Sequence, residues 1–514
     1  MSSQSRERQI SGESIAAPSY DESHEDEPLK PSKPSSNPLP REFWFVILIM
    51  WAEPICGTVI YPFINALVRE TGVTHGDEAK TGYYAGVIES LYFVGEMISV
   101  VAWAKLSDRY GRRPILLWGQ LILAASLFSF GASKAFWQLF VSRLIQGIAN
   151  GNIGVTKSVV AEATDSTNRA RAFGGIPLVW AIGVTIGPFI GGYFANPADH
   201  WPALFGRYRF LVTHPYFLPC AVMGLMVFII FIIVFIGLRE TSPIILRRKA
   251  RESKSASSTP IETERSHLLD HQEGFHYNGA EPLPLTLPTP EHEPRSASIR
   301  EVFGDRNVAI LLLNMAFLAF WGQCQDVLLP LMLSTSVPLG GLGFDPRTIG
   351  LIMGSMGLAN GLIISMFLAR VVDKYGARTV YATAYKGMLF VFPAYPLLNW
   401  LAVRAGGHAN WSVWTLLVLQ LFCASAPYAC YGTIYMLFID HTTDEELATV
   451  NALGQMINSS LRSLAPVFAT SLFAVSVEKH ILGGTLVFWI CSAGVVMAVW
   501  VTTKIPRSGS KRCE

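Results

Sequence analysis

Several things are scarce in this chain of 514 residues. An excess of one charge is absent: 40 Lys+Arg stand against 38 Asp+Glu, and the formal net charge of +2 offers no basis for a nucleic-acid surface. Cysteine is sparse, with seven at Cys56, Cys220, Cys324, Cys423, Cys430, Cys491 and Cys513. No C-x-x-C or Cys/His pair occurs, so they read as small buried side chains and no metal centre is expected. A phosphate-cradling G-x-x-x-x-G-K-[ST] loop is missing, which leaves no ATP-driven machinery. No nucleophile–base set stands out either, so an enzyme is not expected, and no cofactor.

What the chain has in quantity is apolar residues. They make up 51% of the chain, and the mean hydropathy is +0.35. A soluble chain must cover its surface with polar groups and rarely averages above zero. The runs FWFVILIMW from Phe43 and GLMVFIIFIIVFIGL from Gly224 are too uniformly apolar for a soluble helix. A membrane-spanning helix needs roughly 20 such residues. Spans are expected near 43–66, 82–105, 114–133, 135–161, 173–196 and 216–238, and again near 307–332, 347–371, 378–401, 411–438, 446–475 and 481–503. This is an all-α integral membrane chain of about twelve spans in two sets of six. Lipid bilayer surrounds it, and a monomer is expected.

Composition divides the chain further. Residues 1–41 are polar, acidic and rich in Ser and Pro, and read as a disordered cytosolic tail without a cleavable signal. Residues 42–240 form the first set of spans, 241–303 a flexible polar linker, 304–504 the second set, and 505–514 a short tail. The short loops set orientation. Lys105, Arg109, Arg112 and Arg113 follow the second span, Arg370, Lys374 and Arg378 the eighth, and Lys504, Arg507, Lys511 and Arg512 the last. Basic short loops stay in the cytosol, so both termini and the linker are expected there. The sequon Asn410-Trp-Ser412 then falls on the opposite side and is a glycosylation candidate. In the linker, His267, His271, His276 and His292 are irregularly spaced and read as solvated. Glu264-Arg-Ser-His-Leu268-Leu269 resembles an acidic dileucine sorting signal, which keeps a vacuolar membrane open beside the plasma membrane.

The two sets echo each other. Asp108-Arg109-Tyr110-Gly111-Arg112-Arg113 follows span two, and Asp373-Lys374-Tyr375-Gly376-Ala377-Arg378 follows span eight. Duplicated halves are a recurrent plan of secondary transporters. From Ala104 to Arg113 the chain resembles the loop signature of the major facilitator superfamily, with Ala104 where that motif usually has Gly. Arg143-Leu-Ile-Gln146-Gly147 resembles its R-x-x-x-G motif. Gly187-Pro188-Phe-Ile-Gly191-Gly192 resembles the G-P-x-x-G-G motif of proton-coupled exporters. Glu162 with Arg169, and Gly237-Leu-Arg239-Glu240-Thr241, resemble inner-face motifs. Ala52-Glu53-Pro54-Ile55, Gly82-Tyr-Tyr-Ala-Gly86 and Pro215-Tyr-Phe-Leu-Pro219-Cys220 are similar to the zinc-induced-facilitator-like branch of drug:proton antiporters. The resemblance implies the major facilitator fold, two six-helix bundles around a central path. It also implies a secondary active transporter, driven by a proton gradient, that exports a small organic solute. The alternatives are a proton symporter or facilitator for nutrients, or a transporter-like solute sensor.

The ionisable groups inside spans are the candidates for the path. A charged side chain at mid-depth costs several kcal/mol unless it is neutralised, paired or hydrated. Glu53 lies mid-span beside Pro54, while Glu89 and Glu96 are seven residues apart on one face of span two. Arg143, Asp326 and Arg462 complete the set. Arg462 would bind an anionic group or pair with Asp326, and Glu96 would pair with a base such as Arg143. Gln323, Gln325, Asn451, Gln455 and Asn458 add polar lining. Trp51, Trp180, Trp321, Tyr428, Tyr431 and Tyr435 would wall a pocket or simply pack. Asp108, Arg109, Gly111, Arg112, Arg113, Glu162, Arg169 and Asp373 would form a latch between bundles at the inner face. Gly187, Pro188, Gly191 and Gly192 would let helices approach and bend.

Overall fold

A computed structural model of the chain describes residues 37–165, 168–242, 245, 246, 248 and 299–506. The tails before and after these residues lie outside it, as does most of the expected linker with its histidines and dileucine. Among the described residues there is no strand. The long helices are α1 (Arg41–Thr58, resumed by Ile64–Glu70), α2 (Thr81–Tyr110), α3 (Arg112–Gly131), α4 (Phe136–Asn150, resumed by Ile153–Ala163), α5 (Arg169–Tyr193) and α6 (Phe217–Gly237). The second half supplies α7 (Arg306–Ser334), α8 (Pro346–Ile363, continued through Ile364–Leu368 to Ala369–Tyr375), α9 (Ala377–Arg404), α10 (Trp411–Cys423, resumed by Ala426–His441), α11 (Asp444–Glu478) and α12 (Leu486–Thr502). The twelve expected spans are present.

Seven of these helices are long and apolar enough to cross a membrane by length and composition alone. α5 and α12 carry shorter apolar stretches. α1, α4 and α9 are not among them; α1 carries Arg41, Glu42 and Glu53 within its first 18 residues, and α9 has two prolines, Pro393 and Pro396, in its interior. The breaks are the main departure from the expected spans. The 135–161 span is interrupted at Gly151 and Asn152, and the first span at residues 59–63. Helix starts follow their capping chemistry. Asp345 accepts from the N–H groups of Arg347 and Thr348 ahead of Pro346, and Thr443 and Glu446 form a reciprocal capping box on α11.

Gly111 and Gly376 mark the repeated loops. Each ends one helix and opens the next with a positive φ, +104° and +80° respectively. Only glycine takes that turn without a Cβ penalty. This is the physical content of the repeated Tyr-Gly pair.

Buried apolar side chains fall into two clusters, one within residues 43–238 and one within 302–505 that also takes in Ala79. Each half of the chain therefore makes its own core. The bundles meet chiefly through α5 against α8 and α2 against α11. Large apolar side chains such as Ile236, Trp137 and Trp500 are exposed on the outside, where lipid would cover them.

Small residues make the bundle contact possible. A Cβ at Gly350 would lie 2.6 Å from the Pro188 carbonyl and 2.7 Å from Gly192 Cα. A Cβ at Gly82 would lie 2.6 Å from the Thr470 carbonyl. These close approaches sit at the end away from the basic loops. Toward the loop end the α5–α8 approach loosens, and a Cβ at Gly361 would lie 3.9 Å from that of Ala181. The motif glycines of α5 divide their work. Gly187 and Gly191 face α1 at Ile55, Thr58 and Val59, while Gly192 faces α8.

Candidate functional site

The structure brings most of the ionisable candidates to mid-depth between the bundles. Arg143 on α4 is 1% exposed. Its guanidinium donates to the carbonyls of Cys56 and Gly57 at 3.3 and 2.9 Å and to Gln146 Oε1 at 2.8 Å. It also lies over the Tyr92 ring, 4.5 Å from the centroid. These contacts tie α4 to the carbonyls beside the break in α1, where backbone acceptors are spare. Arg143 takes no ion pair from Glu96. Glu96 instead accepts from Asn150 Nδ2 at 3.2 Å. Glu89 is 3% exposed, and its Oε2 has no hydrogen-bond partner among the described residues. The Arg143 charge acts on it from one side and Asp326 from the other bundle.

Arg462 on α11 reaches across to the first bundle. Its Nε donates to Gln323 Oε1 at 2.9 Å. Its guanidinium carbon lies 4.6 Å from the centroid of Phe93 and 5.0 Å from that of Trp180. Glu53 and Glu96 are within electrostatic reach of it, but neither makes an ion-pair contact. Asp326 is also in electrostatic reach and forms no ion pair with it. Gln323 Nε2 donates to the Tyr61 hydroxyl at 3.3 Å, joining α7 to the turn after α1.

Of the expected polar lining, Gln323 is engaged as described, and Gln325 is buried with Oε1 unpartnered. Asn458 accepts from the Tyr431 hydroxyl at 3.1 Å. Gln455 is half-buried and Asn451 exposed. Trp180 faces the site, while Trp321 packs on α12 at Gly494. Asn410 caps α10 by accepting from the Val413 N–H. Several participants are absent from the sequence reading: Tyr61, Tyr92, Phe93 and Asn150. Asn150 was findable as a polar residue in an apolar span. Phe93 carries no such signal, because only its place opposite Arg462 distinguishes it from a core aromatic.

At the loop end, Arg112 bridges Asp108 and Glu162, at 2.8 Å to each. Glu240 accepts four backbone N–H groups, from Arg112, Arg113, Thr241 and Ser242. Arg113 donates to the Phe235 carbonyl, and Arg109 lies over Tyr110. All these partners belong to the first bundle. The side chain of Arg169 lies outside the described ones, and Asp373 is exposed. At the far end the bundles are tied to each other. Arg69 pairs with Glu78 at 2.8 Å and points at the Ser334 carbonyl, and Glu78 accepts the Ser336 N–H at 2.9 Å.

Two helical bundles with separate cores and ionisable residues held between them define a membrane transporter of the two-bundle kind. The sequence profile of the Major Facilitator Superfamily matches residues 46–466, and the chain belongs to that superfamily. It is 31% identical over 506 residues to the major facilitator-type transporter psiT2 of Psilocybe cyanescens, covering 95% of this chain and 94% of that one. It is 28% identical over 460 residues to the efflux pump azaK of Aspergillus niger, covering 88% and 85%. To the protein ZINC INDUCED FACILITATOR-LIKE 1 of Arabidopsis thaliana it is 23% identical over 485 residues, covering 90% and 91%. Among solved structures, the D-xylose-proton symporter superposes with a TM-score of 0.62 at 16% identity, covering 91% of this chain and 98% of that one. The human organic anion transporter MFSD10 gives 0.55 at 18%, covering 91% and 100%. These structures bear on the fold alone.

Proposed function

We propose that the protein is a proton-coupled antiporter that exports a small organic solute by alternating access. The observation that carries this reading is the set of intramembrane carboxylates at the bundle contact, above all Glu89 with an unpartnered, buried oxygen. An acid that is dry in one bundle arrangement and wet in the other exchanges a proton with each cycle. Glu53 on α1, which faces Glu96, Lys157 and Arg462, is the second carrier. The tied far end and the first-bundle partners of the loop-end charges fit a state open toward the basic loops. With those loops cytosolic, this is the state that loads solute for export. The efflux function named for azaK is in line with this direction.

The test is solute flux in proteoliposomes under an imposed pH gradient. Glu53→Gln and Glu89→Gln fix each acid in its neutral form. Each is expected to abolish pH-driven accumulation while leaving solute counterflow. Accumulation by both variants at wild-type rates would refute proton coupling through these acids.

A further inference from the structure

The site contains its own ligand. Phe93 and Trp180 of the first bundle present ring faces, with Glu53 and Glu96 close by, and the group between them is the guanidinium of Arg462 from the second bundle. We propose that Phe93, Trp180, Glu53 and Glu96 form a subsite for the cationic group of an organic solute, and that Arg462 is a tethered competitor filling it in this state.

Three observations carry the inference. Aromatic faces beside carboxylates attract soft, weakly hydrated cations such as guanidinium, pyridinium or alkylated ammonium groups. The Arg462 occupancy shows that this surface accepts a planar cation. Lys157 and Arg462 both act on Glu53 and Glu96, so withdrawing Arg462 removes one of the two cations that face these acids, and a solute cation can take its place. Finally, Arg462 is held in a way that permits release. Among the described residues its one hydrogen bond is to the neutral Gln323 of its own bundle, and neither carboxylate is in ion-pair contact. Rocking the bundles apart would draw the guanidinium out with α11 and leave the rings and acids behind on the first bundle.

This inference rests on the transport reading only in calling the bound species a solute to be moved. It is tested by equilibrium binding to the purified full chain with no gradient, so missing pH-driven flux would defeat the antiport reading and leave this one standing. The probes are N-methyl-4-phenylpyridinium, an aromatic cation, and phenylacetate, an aromatic anion. Arg462→Gln should bind the cation about tenfold more tightly than the wild type. Adding Phe93→Leu or Glu53→Gln to Arg462→Gln should remove that gain. Arg462→Lys keeps the charge but loses the planar stack, and should give a smaller tightening. If Arg462→Gln does not yield folded protein by gel filtration and thermal unfolding, the decision passes to Arg462→Lys. Cation affinity unchanged or weakened in the folded variant overturns the proposal. So does wild-type binding of phenylacetate that is lost with Arg462, which would make the arginine an anion ligand.

Discussion

The α5–α8 seam gives a prediction whose size follows from geometry. In Gly350→Ala the new methyl would stand 2.6 Å from the Pro188 carbonyl and 2.7 Å from Gly192 Cα, both backbone. Neither can rotate away, so the helices must separate. Overpacking of this kind costs about 1–3 kcal/mol. The cost falls only on the arrangement in which the far ends touch. If the bundles alternate, the balance shifts toward the opposite arrangement by roughly 5- to 150-fold. Gly361→Ala on the same helix is the control, because its methyl would meet only the Ala181 Cβ at 3.9 Å. Spin labels at Thr71 and Pro338, on the two bundles at the far end, would report the separation as a distance distribution. The longer distance should gain population in Gly350→Ala and not in Gly361→Ala. Identical distributions in the wild type and Gly350→Ala would refute the claim that this contact limits opening.

Other expectations follow from the loops and ends. Asp108→Asn removes an exposed partner of Arg112 and should cost under about 1 kcal/mol of stability, yet slow transport, as read by thermal unfolding and flux at equal protein. Glu240→Ala strands four backbone N–H groups near the loop end and should cost about 1–3 kcal/mol, visible as a lower unfolding temperature in detergent. Burial raises the Glu70 carboxyl above its ordinary value, partly opposed by the hydrogen bond from Tyr216. A carboxyl raised in the fold loses stability as pH climbs from below its unfolded value. The stability advantage of Glu70→Gln over wild type should therefore grow from pH 4 to pH 7, and a constant difference would refute that burial cost. A tag placed within 251–298 should be reachable only from the cytosol, and labelling it from outside intact cells would overturn the orientation.

Much of this architecture was legible in the sequence. Spans are read from apolar runs because backbone polar groups in lipid must be satisfied within the helix. The repeated Asp-x-Tyr-Gly loops were legible because a positive-φ turn demands glycine. The breaks in α1 and α4 were not expected, although Asn150-Gly151-Asn152 and Pro62 are local breaker signals, because within long apolar runs such signals are also tolerated inside membrane helices. The ionisable residues stood out one by one, but not their pairing. Arg143 found carbonyls rather than Glu96, and Arg462 found Gln323 and two rings rather than Asp326. Which acid meets which base depends on helix rotation and depth, which apolar periodicity leaves loose.

The separate cores have a consequence for biosynthesis. Residues 43–238 bury their apolar side chains almost entirely among themselves. The first bundle can therefore finish packing in the membrane while the ribosome is still making the second. At about 5–20 residues per second, that head start lasts roughly 10–50 s. Two chains, one ending and the other beginning within 251–298, should then assemble when made together in one cell, because the seam between them is helix surface and not shared core.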